Sequence, residues 1–156
     1  MIAKETSDAR RFLREVMTTN VTTLMPSATV QDAAQQMKAL NVGSIPICEK
    51  NQLLGMLTDR DIVVRVIAER HNPQTQRVQD VMTSQVDYCY EDQDVEEAAQ
   101  VMQDRQIRRL PIIDRDNQLV GIVSLGDLAV KTNEEKTMAQ ALEQISLPAE
   151  PRRKVI

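Results

Sequence analysis

The stretch LLGMLTDRDI, residues 53–62, runs apolar through Leu57 and then breaks into Thr58, Asp59, Arg60 and Asp61. Such a run reads as a buried strand, and a hydroxyl followed three positions later by a carboxylate reads as the start of a helix. The same order returns in LVGIVSLGDL, residues 119–128, with Ser124 for Thr58, Gly126 for Arg60 and Asp127 for Asp61. Outward from these turns the correspondence continues. Val16-Met17-Thr18 matches Val81-Met82-Thr83, and Val30, Ala33, Ala34, Gln35 and Met37 match Val95, Ala98, Ala99, Gln100 and Met102. Pro46-Ile47 matches Pro111-Ile112 and, after one inserted residue near Asp116, Asn51-Gln52-Leu53 meets Asn117-Gln118-Leu119. About a third of the aligned positions are identical, which marks a duplicated unit; two copies are too few for a solenoid and predict a compact pseudo-twofold pair.

Each copy reads strand, helix, strand, strand, helix. VTTLM (21–25) and VDYCY (86–90) are short and rich in β-formers. Thr29 with Asp32, and Asp94 with Glu97, are capping-type helix starts. Val30, Ala33, Ala34, Met37 and Leu40 follow at helical spacing, as do Val95, Ala98, Ala99 and Met102. SIPIC and LPIID are strands whose prolines suit an edge or a bulge. Polar turns then lead into LLGMLT and LVGIVS, closing a hairpin in each copy. In DIVVRVIAE the apolar positions 62, 63, 64, 66 and 67 cover more than one helical face, which predicts burial on two sides, most simply against a second subunit. Met138, Ala141, Leu142 and Ile145 mark one more amphipathic helix.

The 156 residues carry 42% hydrophobic and 27% charged side chains, as soluble globular proteins do. A net charge of −4 argues against broad nucleic-acid binding, which needs a basic face, but leaves room for a small anion in a local basic pocket. No apolar run approaches a membrane span and no signal-peptide pattern opens the chain. Cys48 and Cys89 are too few and too far apart for a zinc site or a disulfide framework. The expectation is a reduced, cytoplasmic protein with the thiols acting as small apolar side chains. The lone His71 lies in the polar stretch ERHNPQTQ and supports no catalytic triad. Met17, Met37, Met82 and Met102 recur with the repeat and read as core fillers.

A strand ending in Thr or Ser before a helix presents N–H groups and a hydroxyl to an anion, while the Asp in the first turn suits ribose hydroxyls better than phosphate. The competing reading is a helix cap with a carboxylate complementing the dipole. Two copies at matching positions shift the balance towards a nucleotide lying across the turn.

The repeat resembles the cystathionine-β-synthase (CBS) domain. VGSIPICEKNQLLGMLTDRDI and IRRLPIIDRDNQLVGIVSLGDL carry the resemblance most specifically, and it extends from Val16 to about Val66 and from Val81 to about Lys131. The whole looks like a stand-alone bacterial tandem CBS pair. The resemblance implies an α+β fold of two β-α-β-β-α units packed about a pseudo-twofold. It also implies clefts for adenosine-containing ligands (AMP, ADP, ATP, or sometimes S-adenosylmethionine or NAD), and association into a flat dimeric disc. Carried over by motif, Asp61 and Asp127 match ribose-binding aspartates, and Thr58 and Ser124 match phosphate-side hydroxyls. Val21-Thr22, Val86-Asp87, Ile45-Pro46 and Leu110-Pro111 match the adenine walls. Arg60, Arg108 and Arg109 are the candidate phosphate-binding cations, Arg108 and Arg109 standing where the first copy has Gly43 and Ser44. The expected organisation is a leading segment 1–15, a first repeat 16–72, a linker 73–80, a second repeat 81–132, a C-terminal helix 133–147 and a mobile tail 148–156.

Two functional readings follow. One is a non-enzymatic sensor that binds an adenine nucleotide as regulatory ligand, needs no other cofactor, forms a homodimer through the helices near Ile62–Ile67 and Leu128, and signals to a regulated protein. The other is a structural or redox-linked dimeric interaction module with vestigial clefts. An enzyme ranks third, because the turns offer hydroxyls and acids but no base–nucleophile pair or metal cluster.

Overall fold

The computed structural model describes residues 11–131 and 135–148. In the first repeat α1 (Leu13–Val16) precedes α2 (Val30–Leu40), β1 (Ser44–Glu49), β2 (Gln52–Thr58) and α3 (Asp59–Ile62). α3 runs on into a π-helical turn, Val63–Ile67. A 3-10 turn, Val78–Asp80, leads to β3 (Cys89–Tyr90), α4 (Val95–Arg105), β4 (Arg109–Ile113), β5 (Leu119–Ser124), α5 (Leu125–Lys131) and α6 (Glu135–Ser146). This is the expected α+β pair of repeats. Thr29 Oγ1 accepts from the Asp32 N–H at 3.1 Å and Asp94 accepts from the Glu97 N–H at 2.8 Å, so the expected caps start α2 and α4. Both helices end on a left-handed residue, Asn41 and Gln106, with φ of 54° and 53°.

The two hairpins show why one residue was inserted between the copies. Lys50 and Asn51 are both left-handed, φ 48° and 63°, as a two-residue primed turn requires. The second hairpin carries the extra residue. There Asn117 N–H donates to Asp114 O and only Asn117 is left-handed, the pattern of a three-residue loop. Both hairpins bulge at one place: Ile47 faces Gly55 but Cys48 faces Leu53, and Ile112 faces Gly121 but Ile113 faces Leu119.

The expected strands 21–25 and 86–90 are shorter than their β-rich composition suggested. The second is reduced to Cys89–Tyr90, parallel to β4, and the first to a single bridge, Leu24 to Ile47. Leu24 N–H donates to Pro46 O and Leu24 O accepts from Cys48 N–H; Pro46 itself has no N–H to extend the ladder. Leu40, expected on the inner face of α2, is 45% exposed instead.

Two apolar cores form, and each takes its leading segment from the other repeat. Leu13 and Val16, which lead into the first repeat, are buried with Ala98, Met102, Leu110 and Val123 of the second. Val78 and Val81, which lead into the second repeat, are buried with Val30, Ile47 and Leu57 of the first. Residues 16–18, assigned from the sequence to the first repeat, therefore pack on the second. Thr18 bridges Ile122, and Thr83 bridges Met56. Lys131 Nζ donates to Val16 O at 2.9 Å, while the equivalent Arg65 donates to Val81 O at 3.0 Å and Met82 O at 3.2 Å. A cation thus satisfies carbonyls at the end of each exchanged segment. α6 covers the second repeat, burying Met138 and Ala141 against the core that holds α4 and α5. Most of the expected leading segment and tail, residues 1–10 and 149–156, lies outside the described residues.

Glycine permits the close approach of the exchanged segments. A Cβ on Gly121 would lie 2.5 Å from Met17 Sδ and 3.0 Å from Thr18 O, and one on Gly55 would lie 2.5 Å from Met82 Sδ and 2.9 Å from Thr83 O. The methionine ends can move, but the carbonyls belong to the bridged backbone. Gly121→Ala and Gly55→Ala should each cost about 1–3 kcal/mol in urea unfolding, the range for overpacking. Gly126 is the internal contrast, since an added Cβ there meets only Ser124 Oγ at 3.8 Å. Gly126→Ala should be neutral or stabilise the helix by up to about 1 kcal/mol.

Candidate functional site

Each Thr/Ser–Asp turn is a reciprocal cap. Asp61 N–H donates to Thr58 Oγ1 at 3.1 Å while Thr58 N–H donates to Asp61 Oδ2 at 3.0 Å. In the second repeat Asp127 N–H donates to Ser124 Oγ at 3.0 Å and Ser124 N–H donates to Asp127 Oδ2 at 3.3 Å. The capping alternative drawn from the sequence is therefore present in both copies. It does not exhaust the groups. Each hydroxyl accepts in the cap and keeps its own proton to donate, and each carboxylate commits one oxygen and keeps the other. In the first repeat the remaining oxygen, Asp61 Oδ1, stands 3.8 Å from Arg65 Nε.

Two cavities flank the exchanged segments, and both are assembled across the repeats. The first, of about 370 Å³, sets Val21, Thr22, Ile45 and Pro46 of the first repeat against Ser124, Asp127 and Arg109 of the second. The second, of about 390 Å³, sets Val86, Asp87, Pro111, Arg108 and Arg109 of the second repeat against Thr58 and Gly43 of the first. Segments 21–22 and 86–87 lack a strand ladder because they run past the sheets as cavity walls. The exchange of leading segments explains the mixing, since Thr18 lines the first cavity and Thr83 the second.

The candidate residues fall into place unevenly. Asp127 lines the first cavity, whereas Asp61 is almost wholly buried beside Arg65 and is not part of the second cavity's surface. Arg60, expected as a phosphate contact, lines neither cavity and points to solvent. Leu110 is buried in the core behind the wall that Pro111 presents. Arg108 and Arg109 lie at the mouth of the second cavity, and both also border a groove of about 590 Å³ between α5 and α6. Asp87, a further wall residue, is 3.2 Å from Arg105 Nε, which offsets its charge.

Ser44 was not singled out by its sequence. It lines both cavities, and its hydroxyl is buried without a hydrogen-bond partner among the described residues. Its equivalent in the second repeat is Arg109, which also lines both. Alignment of the copies gave this pair, but only the cross-repeat assembly shows that the position faces two cavities at once.

The thiols are remote from this chemistry. Cys48 and Cys89 are free and buried, and burial pushes both up to about 11. Among the described residues no group of three or more His, Cys, Asp or Glu side chains is arranged to hold a metal ion. Nor is any described helix long and apolar enough to cross a membrane.

Comparison with known proteins accounts for the geometry. The CBS domain family profile matches residues 13–68 and 78–134. The CBS domain-containing protein YhcV of Bacillus subtilis is 46% identical over 134 residues, which cover 86% of this chain and 94% of that protein. Hypoxic response protein 1 of Mycobacterium tuberculosis is 36% identical over 117 residues, 74% of this chain and 81% of that one. A crystal structure of hypoxic response protein I with two coordinated zinc ions superposes with a TM-score of 0.72 at 34% identity, covering 78% of this chain and 99% of that chain. A CBS domain pair in complex with 5-methylthioadenosine and S-adenosyl-L-methionine superposes with a TM-score of 0.70 over 81% of this chain and 98% of its own; at 22% identity it shares the fold. Two family matches, one on each repeat with the segment that leads into it, place this chain in the CBS domain family as a tandem pair.

Proposed function

We propose that the protein is a non-enzymatic regulatory module that binds an adenosine-containing ligand of the AMP, ADP or ATP class in its cross-repeat cavities. The observation that carries the reading is the division of labour within the first cavity. An apolar wall from one repeat suits adenine, and Asp127 and Ser124 from the other suit ribose and phosphate, with Arg109 as the cation. An uncommitted oxygen on Asp127 can accept from ribose hydroxyls, and the Ser124 proton can be donated to a phosphate oxygen. The solved CBS pair that holds two adenosine derivatives supports this class of ligand. The redox-linked alternative has less support, because thiols held at about 11 stay protonated near neutral pH.

Occupancy reaches a regulated protein through a homodimer in this reading. The π-helical turn leaves Val63 59% and Ile67 56% exposed, and on α5 Val130 is 85% exposed at the position equivalent to the exposed Val64. On the helix around Leu128, Leu128 itself is wholly buried within the protomer. The proposed dimer surface is thus Val63, Val64 and Ile67 with Val130. Sedimentation at micromolar concentration should give about twice the chain mass. Val64→Glu with Val130→Glu should give a folded monomer. A monomeric parent would remove the dimer from this reading.

Thermal melting with AMP, ADP, ATP, NAD and S-adenosylmethionine tests the ligand class. Ligand at about 100 times its dissociation constant should add about 2.7 kcal/mol of stability. Unchanged melting across the panel would favour vestigial clefts. Asp127→Ala should weaken adenosine, AMP and ATP alike at the first cavity, by about 1.5–3 kcal/mol for hydrogen bonds to a charged group. Ser124→Ala removes the other half of the same cap, so its effect on adenosine gauges the structural share of that loss. Equal losses for the two variants would make Asp127 a helix cap only.

A thiol reagent should label neither cysteine of the native protein quickly at pH 7. Rapid labelling would return weight to the redox reading. Because both thiols titrate higher when folded than when unfolded, their contribution to stability is present below about pH 9 and is lost as pH rises towards about 11.

A further inference from the structure

We propose that Arg109 makes the two cavities compete for phosphorylated ligands, so that one chain binds two neutral nucleosides but only one phosphorylated nucleotide tightly. This rests on the adenosine-ligand reading above and adds a rule for how the two cavities share their charge.

Arg109 begins β4 opposite Ser124, and the equivalent Ser44 begins β1 opposite Thr58. Each therefore sits beside the hydroxyl of a capped turn, and each lines both cavities. The duplicated frame has two such shared positions. One is a guanidinium and the other a hydroxyl with no partner. Among the described residues the Arg109 side chain has no ion pair or hydrogen bond, so it is available to a ligand on either side.

The remaining charges are divided unequally. The second cavity also holds Arg108, and Asp87, its one acid among the described residues, is offset by Arg105 at 3.2 Å. Among the described residues the first cavity has no other Lys or Arg on its surface, and it carries Asp127. A phosphorylated ligand is thus favoured in the second cavity, where Arg108 and Arg109 can both contact it. Once Arg109 is engaged there, the first cavity faces an incoming phosphate with an aspartate, a neighbouring anion and no free cation. A neutral nucleoside asks for no cation and is indifferent to where Arg109 points. Charge-assisted hydrogen bonds are the stronger kind, so losing the shared arginine to one ligand should separate two phosphate affinities widely while leaving the nucleoside affinities unchanged.

Calorimetric titration of the full chain with adenosine, AMP and ATP in 0.15 M salt tests this. Adenosine should bind two equivalents, the tighter where Asp127 opens onto the ligand, with a gap that Arg109 does not set. AMP and ATP should bind one equivalent tightly and a second about 10- to 100-fold more weakly, a gap that narrows in high salt. Protein saturated with one equivalent of ATP should still take one equivalent of adenosine. Arg109→Gln, an exposed substitution that spares the core, should narrow the gap for AMP by weakening the first equivalent, with Arg108 alone left to hold phosphate in the second cavity. Two equally tight equivalents of ATP alongside two of adenosine would overturn the shared-arginine rule and leave the ligand class standing. A single equivalent of adenosine would also overturn it, by placing the asymmetry in the walls. Binding of no nucleoside or nucleotide at all would overturn both.

Discussion

The backbone of each leading segment lies against a glycine of the opposite repeat, and the rest of the architecture depends on that approach. Met17-Thr18 passes over Gly121, and Met82-Thr83 passes over Gly55, at distances that leave no room for a methyl group. The approach brings Thr18 into pairing with Ile122 and Thr83 with Met56, so each hairpin gains an edge partner from outside its own repeat. Leu13 and Val16 complete one core and Val78 and Val81 the other. Neither repeat closes its apolar surface with its own sequence. The tandem pair is for this reason the unit of folding, and cavities at the seam necessarily draw on both copies.

Capping does not compete with the ligand recognition proposed for the Thr58–Asp61 and Ser124–Asp127 turns. The cap holds each carboxylate by one oxygen and each hydroxyl by its lone pairs, which fixes both groups without consuming what a ligand needs. A carboxylate free to rotate would lose more entropy on meeting two ribose hydroxyls. The two turns differ in the company they keep. Asp127 opens onto its cavity, while Asp61 is drawn towards Arg65, whose guanidinium also holds the carbonyls of Val81 and Met82. That chain of contacts joins the first repeat's turn to the segment that enters the second repeat.

Local sequence signals predicted local structure well. The caps at Thr29 and Asp94 and the helix spacing from Val30 and Val95 depend on residues within a turn or two of each other, the hairpins on strands that adjoin in sequence, and all are present. The errors come from contacts between distant residues. β-forming composition at 21–25 gives one bridge, because Val21 and Thr22 are turned to a cavity rather than to a neighbouring strand. Leu40 matches the helical period but falls on the exposed side of α2. Arg60 stands in the right turn yet faces solvent, whereas Arg108 and Arg109 reach the cavity from the opposite repeat. No spacing within one copy reveals that its wall will face the other copy's turn.

The π-helical turn after α3 shows how a sequence conflict can be resolved by geometry. Ile62, Val63, Val64, Val66 and Ile67 are all β-branched, and such residues crowd the preceding turn of an α-helix. Over this run the hydrogen bonds lengthen by one residue: Ala68 N–H donates to Val63 O and His71 N–H to Val66 O. The wider turn keeps Val66 fully buried while leaving Val63, Val64 and Ile67 exposed on one short segment. In the second repeat the same positions carry the shorter Ala129 and a single exposed valine, Val130, and α5 stays regular. The apolar excess that the sequence could only count is therefore concentrated in the first repeat, just beyond Asp61. A change at that turn, whose Thr58 lines the second cavity, and a change at the proposed dimer surface are separated by less than about three helical turns of backbone, so this segment joins the two.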